Sequence, residues 1–244
     1  MKAIVLCAGL GTRMRPLTDT TPKCMLPVGG KPLLHHTLER LAEAGVTDVA
    51  INLHHLPKAI VHDIKRGWQF GLHVTYSYER ELLGTAGTIK RLAWWLDDAS
   101  SALSAGEPFF VVYGDEWTTL DFGKLQSFHM IDSPMATIVT HETEDITGRN
   151  QVETARYGKV IRILPKWSST SVPFGGVVGS GIYVLDVLLL PSLDYSDLDN
   201  ALAAILDRGY HFLFREFRVD ADEVIDIGKP EGYARACALA GPSW

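Results

Sequence analysis

Apolar segments and segments of helical periodicity alternate along the first half of the chain. Strands are predicted where the runs are short and apolar, at 3–7, 48–53, 72–79 and 108–116. Helices are predicted where apolar residues recur every three to four positions, at 31–45, 57–68 and 85–99. This alternation is typical of βαβ units. We therefore predict an α/β fold with a Rossmann-like, mixed but mainly parallel sheet flanked by helices.

The second half is less regular and is richer in predicted strands. These strands lie at 135–142, 151–155, 159–164, 179–186 and 212–219, and the stretch SSTSVPFGGVVGSG interrupts them. Helices are predicted only at 197–208 and 230–240. No internal repeat, low-complexity segment or linker divides the chain. We therefore predict a single domain over residues 1–244.

Composition and charge exclude several functional classes. The 244 residues are 46% hydrophobic and 21% charged, as in an ordinary globular protein. The net charge of −6 argues against a general nucleic-acid-binding surface, which needs a basic footprint. No apolar run approaches the roughly 18 residues that a membrane span needs. The three cysteines lack CxxC spacing, which disfavours a disulfide framework or zinc site and favours a cytoplasmic location.

A glycine-rich loop with several cations follows the first predicted strand. Gly9 and Gly11 lie there with Arg13 and Arg15, and Lys23 comes shortly afterwards. Glycines let backbone N–H groups approach an anion closely, and the cations supply positive charge, so the pattern indicates a phosphate-binding loop. Met14 stands where a Rossmann fingerprint has its third glycine, and no GxxxxGK[ST] P-loop occurs. A tight turn with solvated cations is the structural alternative.

Other candidate residues follow later predicted strands. In open α/β sheets, ligands bind at the carboxyl ends of the strands. The strand order therefore predicts that the Gly9 loop, Glu79, the Gly84–Gly87 turn and Asp115 lie on one rim.

Six segments resemble those of one enzyme family. GLGTRMRPLTDTTPKCMLPVGGKPLL closely resembles the signature of sugar-1-phosphate nucleotidylyltransferases, GxGTRLxPLT followed by PKxxLPV. The further matching segments, in family order, are LLGTAGTIK, VVYGDE, KVIRILPK, GSGIYVLD and VIDIGKPEGYARA. LGTAG after Glu79 is most similar to the mannose- and heptose-1-phosphate guanylyltransferase branch. The resemblance implies a nucleotide-binding half at 1–130 and a sugar-phosphate-binding half at 131–244.

The resemblance also implies a role for individual residues. The implied catalytic residues are Arg13 and Lys23, and the implied magnesium ligands are Asp115 and Asp226. The implied nucleotide-binding residues are Ala8, Gly9, Gly11, Thr12, Gly84 and Thr85, and the implied sugar-phosphate-binding residues are Lys166 and Ser180. The family motif EKP is Pro165-Lys166-Trp167 here, and Ser180 replaces an asparagine, which leaves an unusual sugar or a cyclitol phosphate open.

The implied reaction is nucleotidyl transfer from an NTP, with GTP preferred, to a sugar-1-phosphate, giving an NDP-sugar and pyrophosphate. The acceptor phosphate is already an anion at neutral pH, so positioning and charge stabilisation by cations and Mg²⁺ carry the catalysis. Transfer of a uridylyl, thymidylyl or cytidylyl group is the alternative reaction. Assembly into a homo-oligomer also stays open. A non-catalytic subunit that senses a sugar nucleotide is the alternative from another class.

Overall fold

The computed structural model describes residues 1–96, 107–146, 148–164 and 175–241. Its strands are β1 (Lys2–Leu6), β2 (Pro27–Val28), β3 (Lys31–Pro32), β4 (Asp48–Leu53), β5 (His73–Tyr78), β6 (Pro108–Tyr113), β7 (Glu116–Thr118), β8 (Ala136–Thr143), β9 (Gln151–Ala155), β10 (Lys159–Leu164), β11 (Gly176–Asp186), β12 (Phe214–Arg218) and β13 (Val224–Asp226). Its α-helices are α1 (Leu33–Glu43), α2 (Pro57–Ile64), α3 (Gly84–Arg91), α4 (Ala93–Leu96), α5 (Phe122–Asp132), α6 (Leu198–Asp207) and α7 (Pro230–Ala240).

The chain forms two compact units, each of which gathers separate stretches of sequence. The first unit contains Met1–Leu82, Val111–Gly123 and the residues from Asp222 onward. The second unit contains Leu83–Phe110 and Lys124–Ala221. The single domain with halves at 1–130 and 131–244 stays a prediction.

Three parallel strands form the centre of the first unit. β4 lies between β1 and β5, with Leu6 opposite Asn52 and Leu53 opposite Tyr78. β6 lies on the other side of β1, and the N–H of Gly114 just beyond it donates to the Leu6 carbonyl at 2.8 Å. The carboxyl ends of β1, β4 and β5 therefore meet at one edge, where ligands of open α/β sheets bind.

Burial explains these elements of the first unit. Five of the six residues of β4 are buried, as expected of a parallel strand that is covered on both faces. α1 buries its leucines along one face, namely Leu33, Leu34, Leu38 and Leu41. Gly45 follows with a φ of 80°, a left-handed conformation that commonly ends a helix.

The second unit contains a sheet with mixed strand directions. Its strands lie in the order β11, β8, β12, β10 and β9. β8 and β12 are parallel, whereas β11 with β8, β10 with β12 and β10 with β9 are antiparallel. The predicted α/β class is therefore confirmed, with the parallel pairing concentrated in the first unit.

Helix α5 is absent from the sequence prediction. Phe122, Leu125 and His129 are buried along it, so a histidine occupies a position where the periodic pattern needs an apolar residue. Met130 and Ile131 are exposed, so apolar residues also lie on the opposite face. The mixed pattern conceals the helix in the sequence.

Several other boundaries differ from the prediction. The strand expected over 108–116 ends at Tyr113 as β6, and Glu116 begins the separate strand β7. The helix expected over 57–68 ends at Ile64, because Lys65 adopts a φ of 54°. The helix expected over 85–99 is two helices with a break at Leu92, and its last residues lie outside the described ranges. β11 begins at Gly176, inside the stretch predicted to interrupt the strands, because backbone groups alone form the ladder with β8.

Among the described helices, none has the length and apolar character needed to cross a membrane.

We expect His129 to make the stability of the second unit sensitive to acid. Its ring is buried, its Nδ1 lies 2.8 Å from the Thr137 hydroxyl, and burial lowers its pKa to about 4. The unfolded chain takes up this proton near pH 6.5 and the folded chain does not, so stability is lost as the pH falls from about 6.5 towards 4. A shift of this size corresponds to roughly 3 kcal/mol. Thermal unfolding at pH 7.5 and pH 5 should show a smaller acid-induced decrease for His129→Gln than for wild type. His73→Gln, at an exposed position, should behave like wild type.

Candidate active site

The loop after β1 has the conformation that its glycines allow. Gly11 adopts a φ of 64°, and its carbonyl accepts a hydrogen bond from the buried Thr18 hydroxyl at 2.8 Å. A side chain at Gly9 would meet no atom within 4 Å, so this glycine borders open space. Ala8 is buried and Thr12 is exposed at the start of the turn Thr12–Met14. The open backbone at Gly9 can accept an anion.

Four predicted residues of the first unit lie together around Gly228. Lys23 forms an ion pair with Asp115, and its Nζ lies 3.9 Å from Oδ1 of Asp226. A Cβ placed on Gly228 would lie 2.8 Å from Nη2 of Arg13 and 3.0 Å from Nζ of Lys23. Two cations and two carboxylates that are widely separated in sequence therefore converge at one place.

Backbone pairing brings the two aspartates together. The Asp115 carbonyl accepts a hydrogen bond from the N–H of Ile227 at 2.9 Å. β7 and β13 pair as an antiparallel ribbon in which Asp226 lies opposite Glu116. The N–H of Gly228 donates to Oδ1 of Asp226 at 2.5 Å and fixes that carboxylate.

The turn Lys23–Met25 holds the lysine next to these carboxylates. Cys24 is buried beneath the turn, and the N–H of Leu26 closes it on the Lys23 carbonyl at 3.1 Å. The Lys23 side chain is only 11% exposed, whereas those of Asp115 and Asp226 are 30% and 29% exposed. The ammonium group is thus largely enclosed, and solvent reaches the carboxylates more easily.

Three carboxylates form a group that suits a divalent cation. One oxygen each from Asp115, Glu116 and Asp226 lies within 4.8 Å of the others. Carboxylate oxygens are the ligands that Mg²⁺ prefers, and one or two of them with phosphate oxygens complete its usual shell. These three carboxylates therefore fit Mg²⁺, the ion that the family resemblance implies. The sequence reasoning overlooked Glu116, although it directly follows Asp115.

A buried hydrogen-bonded chain links the phosphate loop to Glu79. The side-chain amide of Asn52 donates to Oε1 of Glu79 at 2.9 Å, and its oxygen accepts from the Cys7 N–H at 2.7 Å. Glu79 is 5% exposed and follows β5 at the edge where the loop after β1 begins. The Glu79 carboxylate is therefore held in a fixed orientation just after β5, the strand next to β4. Its strand-end position is the signal that marks it in the sequence.

The surroundings of the Cys7 thiol disfavour its reactive, ionised form. A hydrogen bond with the Cys24 thiol and burial raise the pKa of Cys7 well above its usual value. The group therefore stays protonated at neutral pH, whereas the thiolate is the reactive form.

Gly84 and Thr85 have structural roles within the second unit. Gly84 adopts a φ of 76°, and a Cβ there would lie 2.3 Å from the Ser196 carbonyl oxygen. The Thr85 hydroxyl accepts the N–H of Leu198 at 2.7 Å, which satisfies a donor at the start of α6. The predicted turn at these residues is the first turn of α3. Their implied contacts with nucleotide stay a prediction.

Ser180 and Lys166 were the residues implied for sugar-phosphate binding. Ser180 lies in β11, is 3% exposed, and its hydroxyl donates to the Val139 carbonyl at 3.0 Å. This hydrogen bond gives the serine a structural role within the sheet. Lys166 lies outside the described residues.

Comparison with known proteins establishes the family. The family model described as nucleotidyl transferase matches residues 2–238. The chain belongs to the nucleotidyl transferase family. This membership agrees with the resemblance seen in the glycine-rich loop and in the segments around Asp115 and Asp226.

Individual relatives of the family can be compared along their lengths. Mannose-1-phosphate guanyltransferase of Kluyveromyces lactis is 32% identical over 203 residues, which are 80% of this chain and 52% of the relative. The chain spans about half the length of such curated relatives. HddC from Yersinia pseudotuberculosis complexed with GMP-PN is 25% identical, with a TM-score of 0.73 and coverage of 97% of this chain and 98% of that one. UDP-glucose pyrophosphorylase complexed with UDP-glucose shares the fold at 19% identity, with a TM-score of 0.78 and 97% of each chain covered.

Proposed function

We propose that the chain transfers a guanylyl group from GTP to a sugar-1-phosphate, with mannose-1-phosphate as the preferred acceptor. The observation that carries the proposal is the convergence of Arg13, Lys23, Asp115 and Asp226 in the first unit. The family membership and the guanyltransferase relatives support the same chemistry. The proposal includes a cytoplasmic location for the protein.

The reaction needs charge stabilisation more than it needs a base. The acceptor phosphate oxygen is already ionised, and it forms a new bond to the α-phosphorus as the bond to pyrophosphate breaks. Arg13 and Lys23 bind phosphate oxygens, hold the two polyanions together and offset the charge that develops on the leaving group. Asp115, Glu116 and Asp226 would hold Mg²⁺, which when bound polarises phosphate oxygens.

Glu79 supports the choice of guanine. Guanine presents two neighbouring donors, N1–H and N2–H₂, and a carboxylate can accept both. Adenine, uracil and thymine each present a single donor on this edge. Because Asn52 orients the Glu79 carboxylate, the group is pre-organised for such a base.

The first experiment measures pyrophosphate release with Mg²⁺, combining five NTPs with a panel of sugar-1-phosphates. Release with GTP and mannose-1-phosphate supports the proposal. Release with another pair shows that the substrates differ from those proposed. Binding of a sugar nucleotide without release from any pair would favour the non-catalytic sensing subunit.

Replacing Glu79 by glutamine should reduce discrimination in favour of GTP. Glutamine keeps an oxygen that accepts from Asn52, but it puts an NH₂ group where an acceptor stood. Losing a hydrogen bond to a charged group costs about 1.5–3 kcal/mol, so kcat/KM for GTP should fall by roughly 10- to 100-fold. Glu81→Gln is the matched control, because Glu81 is exposed two residues away. An unchanged preference for GTP in Glu79→Gln would remove Glu79 from base recognition.

A further inference from the structure

Gly228 lies where three charged groups of the first unit meet. A Cβ placed on it would lie 2.6 Å from Oδ1 of Asp226, 2.8 Å from Nη2 of Arg13 and 3.0 Å from Nζ of Lys23. All three distances are shorter than those of ordinary contacts of a Cβ. The three atoms are also the charged ends of their side chains, which are the parts that act on substrate.

The backbone of Gly228 does not itself require glycine. Its φ lies outside the left-handed region that favours this residue. Its N–H donates to Oδ1 of Asp226 at 2.5 Å, a bond that any residue except proline can make. The requirement for glycine therefore comes from the space that the side chains of Asp226, Arg13 and Lys23 occupy.

We propose that Gly228 is a positioning residue for nucleotidyl transfer, because its lack of a side chain leaves room for the charged ends of Arg13, Lys23 and Asp226 around one Cα. The inference rests on the proposed function. It adds a residue to the site that neither binds substrate nor titrates. The residue acts through the three groups that it leaves room for.

Gly232, four residues later, offers a contrast. A Cβ there would lie 2.1 Å from the carbonyl oxygen of Asp226, which is a backbone atom. The backbone of α7 or of β13 would have to move to relieve that contact. Around Gly228 the crowded atoms are ends of side chains, and those of Arg13 and Lys23 are long and flexible. An alanine at 228 should therefore displace the charged groups at little cost to the fold, whereas an alanine at 232 should destabilise the fold.

The experiment compares G228A with G232A in the full chain by three measurements. These are the thermal midpoint, Mn²⁺ affinity from the EPR signal of the free ion, and kcat and KM with the best substrate pair. G228A should keep a thermal midpoint near that of wild type, change its Mn²⁺ affinity because the charged groups beside the carboxylates have moved, and lose about 10- to 100-fold in kcat, as for residues that orient metal ligands. G232A should instead lower the thermal midpoint.

Two results would overturn the inference. One is wild-type kcat and Mn²⁺ affinity in G228A. The other is a decrease in thermal midpoint for G228A as large as that for G232A, because the glycine would then serve the fold. If wild type releases no pyrophosphate with any substrate pair, the proposed function fails, and the Mn²⁺ measurement still tests whether Gly228 positions Asp226.

Discussion

Replacing Lys23 by glutamine is expected to lower the rate of nucleotidyl transfer by about 10²- to 10³-fold, the usual cost of losing one pre-organised group at a developing charge. The Lys23 ammonium is 11% exposed, pairs with Asp115 and lies 3.9 Å from Asp226. In such an enclosed place its charge acts with little screening by water. Pyrophosphate release under saturating substrate measures the effect.

A second measurement separates this loss from damage to the fold. Because Lys23 neutralises Asp115 in the first unit, its removal should tighten Mn²⁺ binding in the absence of nucleotide. Lys31→Gln is the matched control, since Lys31 forms its ion pair with Glu39 and not with the carboxylates of the site. Wild-type turnover in Lys23→Gln would exclude the lysine from catalysis, and weaker Mn²⁺ binding would exclude its role as a counter-charge.

Replacing Asp115 by asparagine is expected to lower turnover by about 10³-fold, since a bound metal supplies several kcal/mol of charge stabilisation. The variant should also bind Mn²⁺ less tightly, which is the direction opposite to Lys23→Gln. Asparagine keeps the shape of the side chain, and the hydrogen bond from Ile227 reaches the backbone carbonyl of Asp115, so the fold should be retained.

Asp222→Asn provides the control for Asp115→Asn, because Asp222 pairs with Arg235 at an exposed position. It should leave both turnover and Mn²⁺ affinity unchanged. Full activity of Asp115→Asn with Mg²⁺ would show that this carboxylate holds no essential metal.

The sequence predicts the parts of the fold that local pattern controls. The predicted bounds of β4 match the observed ones because most of its residues are apolar, and those of α7 match because the helix begins at Pro230 and its apolar residues have helical spacing. Helix α5 could not be found, since its buried face includes His129 and its other face includes Met130 and Ile131. A pattern of polarity cannot report a histidine that is buried with a hydrogen-bonding partner.

The sequence describes the candidate site incompletely for a different reason. Asp115 and Asp226 are found through their motifs, but Glu116 joins them only because β7 pairs with β13 in a register that places it opposite Asp226. Gly228 and Thr85 likewise owe their roles to contacts with residues distant in the chain. Such contacts depend on tertiary geometry, which the spacing of residues along the chain does not encode.

The first unit has a consequence for how the protein is made. Lys23, Asp115 and Asp226 come one each from its three separate stretches, and the last stretch begins at Asp222. During synthesis, Arg13, Lys23, Asp115 and Glu116 therefore leave the ribosome long before Asp226, the third carboxylate of the group. Nascent chains that end before Asp222 carry both cations and two of the three carboxylates, so the carboxylate group stays incomplete until the third stretch of the first unit has been made.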